Sequence, residues 1–247
     1  MTPALWTALF ALIAAVATLA GGFAATFPGR LSRAQLSHLI AFGAGYILAA
    51  ALVSLLPESL RLVDNAPLFV LAGYALAHLF EHTFTSHFHF GEETHHEHVV
   101  DPAVSLNALV GLGLHSFFDG VAIASGFLVT PSLGLLIALA VILHKVPEGV
   151  TISSLMVASG HSRTAAVRAS GLLAVSTLAG AGAMALLGEG VKGTGLAISC
   201  GIALYVAATD LMPEFNQEGE RIYSLSALAG VVLYFAIYAL SGRLGIH

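Results

Sequence analysis

His115-Ser-Phe-Phe-Asp119-Gly-Val-Ala-Ile-Ala-Ser125 and His144-Lys-Val-Pro-Glu148-Gly-Val-Thr-Ile-Ser-Ser154 are two copies of one pattern, His-x₃-acid-Gly-Val-x-Ile-x-Ser. Each copy lies in a long apolar run, so ionisable groups stand near the middle of segments that otherwise exclude them. A charge at the bilayer centre costs about 2.5–3.5 kcal/mol on insertion scales, and must be compensated by a neighbour or by an ion. Positions i and i+4 of an α-helix share one face. His115 with Asp119, and His144 with Glu148, therefore each offer a nitrogen and an oxygen about a turn apart. Two such faces opposed would form an N₂O₂ cage. Consecutive spans run in opposite directions, which makes the pair an inverted repeat; in transporters such pairs place the substrate site near the midplane, where interrupted helices meet. Pro147 supplies the interruption, because it has no N–H for the carbonyl of Leu143.

Outward from these segments the chain stays apolar. Of 247 residues, 57% are hydrophobic and 9% charged, against about 25% charged in soluble domains. That composition belongs in a lipid bilayer. The length leaves room for about eight spans of roughly 20 residues. Apolar runs predict helices near Pro3–Thr26, Gln35–Leu56, Pro67–Phe84, Ala103–Val129, Ser132–Ser159, Ala165–Leu187, Gly193–Pro213 and Ile222–Leu240. These runs are too long for barrel strands, so the expected fold is an all-α polytopic membrane protein, one transmembrane domain over residues 1–247. With nine Lys and Arg and a formal net charge of −5 there is no basic stripe for nucleic acid. Cys200 stands alone among small residues and is expected to pack rather than react. The first apolar run lacks a basic n-region and is expected to be a retained helix. Abundant Gly and Ala permit close helix contacts and leave a homodimer open.

Five arginines (Arg30, Arg33, Arg163, Arg168, Arg221) fall in one set of loops and Arg61, Lys192 and Arg243 in the other, so the first set is expected to be cytoplasmic. With eight spans in the cell (inner) membrane, both termini are then outside and the loop at about 85–101 inside. That loop holds His87, His89, His95, His96 and His98 with Glu92, Glu93 and Glu97, a set of available metal ligands. It stands outside the intramembrane cage. Replacing His87 to His98 by a Gly/Ser linker is expected to preserve metal flux while lowering the metal bound by the purified protein; complete loss of flux would make the loop an obligatory part of the path.

Other ionisable residues mark a possible path. His78, Glu81 and His82 share a face of the third segment leading to the His-rich loop. Asp210 stands a turn before Glu214 in the seventh, and Glu58 and Glu214 each follow a proline at a helix end, where capping is the competing role. Phe117 and Phe118 are expected to pack.

At these motifs the chain resembles the ZIP family of metal transporters (Zrt/Irt-like proteins), in its bacterial type, over nearly its whole length. His115-Ser-Phe-Phe-Asp-Gly and His144-Lys-Val-Pro-Glu-Gly stand where the family has its fourth- and fifth-helix signatures. Leu55-Leu56-Pro57-Glu58 and Leu211-Met212-Pro213-Glu214 match its second- and seventh-helix endings. The resemblance implies eight helices in a three-two-three arrangement with inverted pseudo-symmetry. It also implies transport toward the cytoplasm through a metal site between the fourth and fifth helices, with His115, Asp119, His144 and Glu148 as ligands. Many members have a second, adjacent metal site. Here Ser116 stands where Asn is common, Lys145 where an acidic or amide ligand often stands, and Ser176 roughly where the sixth helix can supply Glu. Charge argues the same way: Asp119, Glu148 and a protonated Lys145 sum to −1 alone, +1 with one divalent ion and +3 with two, and low dielectric magnifies imbalance.

Mixed imidazole and carboxylate ligands suit Zn²⁺ first, with Fe²⁺, Mn²⁺, Co²⁺ and Cd²⁺ as alternatives. The rival from another class is an intramembrane metallohydrolase. It is disfavoured because no His-Glu-x-x-His motif occurs and both carboxylates are spent as ligands, leaving no general base. A sensor or purely structural role does not account for the inverted repeat.

Overall fold

The computed structural model describes residues 2–27, 32–84, 102–211 and 221–243. Among them the secondary structure is helical throughout. We number eight rods in chain order: α1 (Pro3–Thr26); α2, an α-helix (Arg33–Ala50) continued by a π-helical stretch (Ala51–Leu55) and a last α segment (Leu56–Leu62); α3 (Ala66–Phe84); α4 (Pro102–Val129); α5 (Pro131–Ala158); α6 (Arg163–Leu187); α7 (Lys192–Tyr205), continued by π-helical Val206–Leu211; and α8 (Arg221–Arg243). The expected segments agree with these to within a few residues, except that the second runs on to Leu62. Pro57 cannot donate to the carbonyl of Val53, and the turn before it widens to π geometry without ending the rod.

Helix ends follow local chemistry. Thr2, Ser32, Thr130 and Ser162 cap the N-termini of α1, α2, α5 and α6 with side-chain oxygens, Ser32 in a reciprocal capping box with Gln35. Gly188, at φ 73°, closes α6 in a backbone region that other residues avoid.

Seven helices among the described residues are long and apolar enough to cross a membrane, against eight expected. The eighth, α3, carries a shorter apolar stretch, Ala66–Phe80, among the described side chains. The outside of the bundle is apolar: Leu12, Val16, Leu71, Val175, Leu186, Leu228 and Val232 are all exposed. The inside holds buried Ser116, Asp119, His144, Lys145 and Glu148. Polar within and apolar without is what a bilayer solvent selects.

Packing pairs α1 with α5 and α6, α4 with α5, α6 and α7, α2 with α8 and α5, and α3 with α7. Glycines set the closest crossings. Gly149 lies over the carbonyl of Thr18 and Gly21 over that of Val146, where α1 meets α5. Gly120 lies over Thr177 and Gly180 over Phe117, where α4 meets α6. At these four positions a Cβ would stand 1.8–2.1 Å from the carbonyl oxygen. Gly45 with Ala227 and Gly230 with Phe42 repeat the device between α2 and α8; Gly201 with Val70 and Gly73 with Ile198 repeat it between α7 and α3. Exchanging α1 with α6, α2 with α7, α3 with α8 and α4 with α5 converts every one of these contacts into another in the set. The two π-helical stretches exchange as well.

Candidate metal centre

Thr130 alone joins α4 to α5, so the two helices fold back as a tight antiparallel pair. His115 lies 15 residues before Thr130 and His144 14 after it. At about 1.5 Å per residue both sit about 21–23 Å from the turn, level with each other. Asp119 is a turn nearer the hairpin than this layer, and Glu148 a turn beyond it. The antiparallel fold therefore puts the carboxylates on opposite sides of the imidazoles.

Three ligand atoms converge. His115 Nε2 and His144 Nε2 are 3.3 Å apart, and each is 3.2 Å from Asp119 Oδ2. His144 Nδ1 lies 2.9 Å from the carbonyl oxygen of Ala140, so Nδ1–H donates there and leaves the Nε2 lone pair for a metal. Such a partner also fixes the ring's orientation. With Glu148 included, the four residues offer ligand atoms within 4.8 Å of one another. The chemistry of the set, two imidazoles and two carboxylates, fits Zn²⁺ and neighbouring divalent ions.

Lys145 is wholly buried and turns inward. Its Nζ is 2.8 Å from Asp119 Oδ2, 2.5 Å from Glu148 Oε2 and 2.9 Å from Ser116 Oγ, so all three ammonium hydrogens have acceptors. Ser116 in turn donates to Glu148 Oε1. One cation against two carboxylates is the compensation that mid-membrane burial demands.

An apolar cleft reaches the cluster from the hairpin side. Its walls come from α2 and α7 beside their π-helical stretches (Ile47, Ala51, Leu55, Ile202, Val206) and from α4 and α5 (Phe118, Ala122, Ile137, Val141). At its end stand His115, Asp119 and His144; Glu148 and Lys145 do not line it.

The remaining candidates lie elsewhere. Ser176 donates to the carbonyl of Gly113 at 2.6 Å and ties α6 to α4. Glu58 pairs with exposed Arg61 at 3.4 Å. His78, exposed on α3, packs edge-on against Tyr205 with centroids 5.8 Å apart. The side chains of Glu81, His82 and Asp210, and all of Glu214, His87, His89, His95, His96 and His98, lie outside the described residues. Phe117 and Phe118 pack as a T-shaped pair. Cys200 is buried, its thiol directed at the carbonyl of Ala51.

One signal was missed in the sequence. Thr18-Leu-Ala-Gly21 recurs as Thr177-Leu-Ala-Gly180, and Thr18 and Thr177 are the residues on which Gly149 and Gly120, just after Glu148 and Asp119, come to rest. A search for repeats beyond the His motifs finds it.

Known proteins give the centre its context. The chain is 36% identical over 129 residues to the human zinc transporter SLC39A7, an overlap covering 48% of this chain and 27% of that protein. It is 27% identical over 224 residues to zinc transporter ZIP13 of Pongo abelii, covering 81% and 66%. A ZIP13 homolog from Drosophila melanogaster is 32% identical over 146 residues, covering 56% and 41%. The chain thus spans under a third of the length of the SLC39A7 relatives it matches. Residues 100–242, which contain both His motifs, match the family profile described as ZIP Zinc transporter. Membrane-length helices around a buried histidine–carboxylate centre and this match over more than half the chain make it an integral membrane protein that belongs to the ZIP zinc transporter family.

Proposed function

We propose that this chain moves a divalent metal ion, Zn²⁺ first, toward the cytoplasm by alternating access through the His115, Asp119, His144 and Glu148 centre. The observation that carries the reading is the convergence of His115 Nε2, His144 Nε2 and Asp119 Oδ2 at 3.2–3.3 Å inside a bundle with an apolar exterior. The relatives' names say zinc transport of those proteins, which supports zinc here; the donor set also accepts Fe²⁺, Mn²⁺, Co²⁺ and Cd²⁺.

The eight rods read as a three-two-three arrangement of inverted halves, supported by the exchange that maps each glycine crossing onto another. With the arginine-rich loops inside, both termini and the α4–α5 hairpin face outward. The ion then reaches the centre down the cleft and leaves toward the inner ends of α3 and α7, past His78, Glu81, His82, Asp210 and Glu214; Glu58 belongs to the outer mouth.

Purified protein in liposomes, assayed for uptake of Zn²⁺ and for lipid or peptide hydrolysis, tests this reading. Metal-selective uptake without hydrolysis is expected; hydrolysis without uptake would establish the metallohydrolase instead. Lys145 fills the place of a second ion, so crystals soaked in Cd²⁺ are expected to give one anomalous peak at the centre. Two fully occupied peaks within about 4 Å, the spacing of two-metal sites, would refute a mononuclear site.

A further inference from the structure

We infer that Ser199 is a staging ligand for the cation on its way to the centre: its hydroxyl oxygen coordinates the dehydrating divalent ion before His115, Asp119 and His144 take it over. The inference rests on the metal-transport reading and adds to its path one residue from a helix outside the α4–α5 hairpin.

The composition of the cleft poses the problem. An ion moving toward the centre must exchange water for protein oxygen or nitrogen, and a path that offers no replacement ligand is a barrier. Among the described residues, the walls are Ile, Leu, Val, Ala and Phe side chains down to His115, Asp119 and His144, with one exception. That exception is Ser199, which is only 3% exposed.

Its hydrogen bond fixes what the hydroxyl can do and where it stands. Ser199 Oγ–H donates to the carbonyl oxygen of Phe118 at 3.1 Å, from α7 across to α4. The single hydrogen is thereby committed, and toward the cleft the oxygen acts only through its lone pairs, as an acceptor or a metal ligand. Phe118 is three residues nearer the hairpin than His115, and helical carbonyls point toward the C-terminal end, so its oxygen is directed toward the mouth of the cleft. Ser199 Oγ therefore sits about a turn, roughly 5 Å, on the hairpin side of the histidine layer. An ion descending the cleft reaches that level before it reaches His115 Nε2 and His144 Nε2. A neutral hydroxyl is a weaker ligand than a carboxylate, which suits a site that must pass the ion on.

The internal repeat shows that packing does not demand this hydroxyl. The exchange that maps α7 onto α2 pairs Gly201 with Gly45 and Ile198 with Phe42, so Ser199 is matched by Gly43. Gly43 lies over the carbonyl of Leu143, with room for a methyl carbon at 3.7 Å, and does not line the cleft. The crossing of α2 on α5 thus stands without a side chain at the matched place, whereas the crossing of α7 on α4 carries a hydroxyl where the cleft passes.

The test compares initial rates of Zn²⁺ and Cd²⁺ uptake by the purified full chain in liposomes with its equilibrium Zn²⁺ affinity, measured by competition against a chromophoric chelator. Ser199→Ala is expected to slow Zn²⁺ uptake by about tenfold, the scale of one lost oxygen contact to a charged group, while equilibrium affinity stays unchanged. Ser199→Cys puts soft sulfur in place of hard oxygen and is expected to raise the ratio of Cd²⁺ to Zn²⁺ uptake by about fivefold or more, a readout that a packing role does not move. Normal uptake in Ser199→Ala overturns the staging role. So does affinity that falls in step with uptake, which would make Ser199 a support for the backbone beside Asp119. If Ser199→Ala does not reconstitute, the ratio in Ser199→Cys decides, and an unchanged ratio overturns the inference. Should the unaltered protein take up metal while these variants behave as it does, only the staging ligand is lost; if the unaltered protein takes up neither ion, the transport reading falls and the inference with it.

Discussion

Changing His115 or Asp119 to alanine will cut Zn²⁺ flux into proteoliposomes by on the order of a hundredfold or more, since removing a metal ligand costs more than the 10–100-fold seen for the groups behind it. Each residue is one corner of the triangle formed by His115 Nε2, His144 Nε2 and Asp119 Oδ2, and the remaining oxygen donor, Glu148, is tied to Ser116 and Lys145. His115 is also the member that neither Lys145 nor the Ala140 carbonyl holds, so its removal leaves the rest of the network paired. The His115→Ala protein should therefore elute and melt like the unaltered one. Flux near the normal level at equal reconstitution would place the transport site elsewhere.

The second large effect is on stability. Gly120→Ala would put a methyl carbon 2.0 Å from the carbonyl oxygen of Thr177. The obstacle is backbone on a neighbouring helix, so no rotamer change relieves it and α4 must move off α6. Overpacking of this kind costs about 1–3 kcal/mol or more, which for a chain of this size lowers the melting temperature by roughly 6–12 °C at the upper end. Gly182→Ala is the control, on the same helix pair's outer side with nothing within 4 Å of the added carbon. Melting in detergent should separate the two variants clearly. Equal melting temperatures would mean that these crossings are looser than the structure has them.

Much of this was legible in the sequence because a bilayer constrains it twice. Spans must be long and apolar, so the helices could be read from Pro3 to Leu240, the largest boundary error being the run of α2 on to Leu62. Ionisable groups must be few and paired, so His115, Asp119, His144 and Glu148 stood out against their surroundings. The opposed-face argument, however, had the two spans running in opposite directions without drawing the split that follows. In an antiparallel hairpin the second pair is inverted, and the carboxylates separate to either side of the histidines. Counting residues from Thr130 recovers that split, and with it the reason Lys145 can reach both acids.

Other features depended on tertiary neighbours that no local pattern supplies. Ser176 sits on α6 at a height where the carbonyl of Gly113 takes its hydroxyl, and sequence cannot tell that partner from a metal. Glu58 has Arg61 three residues on, and a solvated pair is the plainer outcome. The π-helical stretches carry no composition of their own: Ala51–Leu55 reads as ordinary helix until Pro57 and the cleft explain it. The glycines were noted for permitting close contact, but which carbonyl each would cover required the partner helix.

The buried lysine has an electrical consequence. With neutral imidazoles, Asp119, Glu148 and Lys145 give the centre a charge of −1 before an ion arrives and +1 once a divalent ion is seated. Under the alternating access proposed above, a membrane potential negative inside, worth about 2.3 kcal/mol per elementary charge per 100 mV, would draw the loaded centre inward and drive the unloaded one back outward to the extent that each moves through the field. Without Lys145 the same two states would be −2 and neutral, and voltage would act on the return stroke alone. In the proposed cycle one side chain would thus divide the electrical work evenly between the two halves.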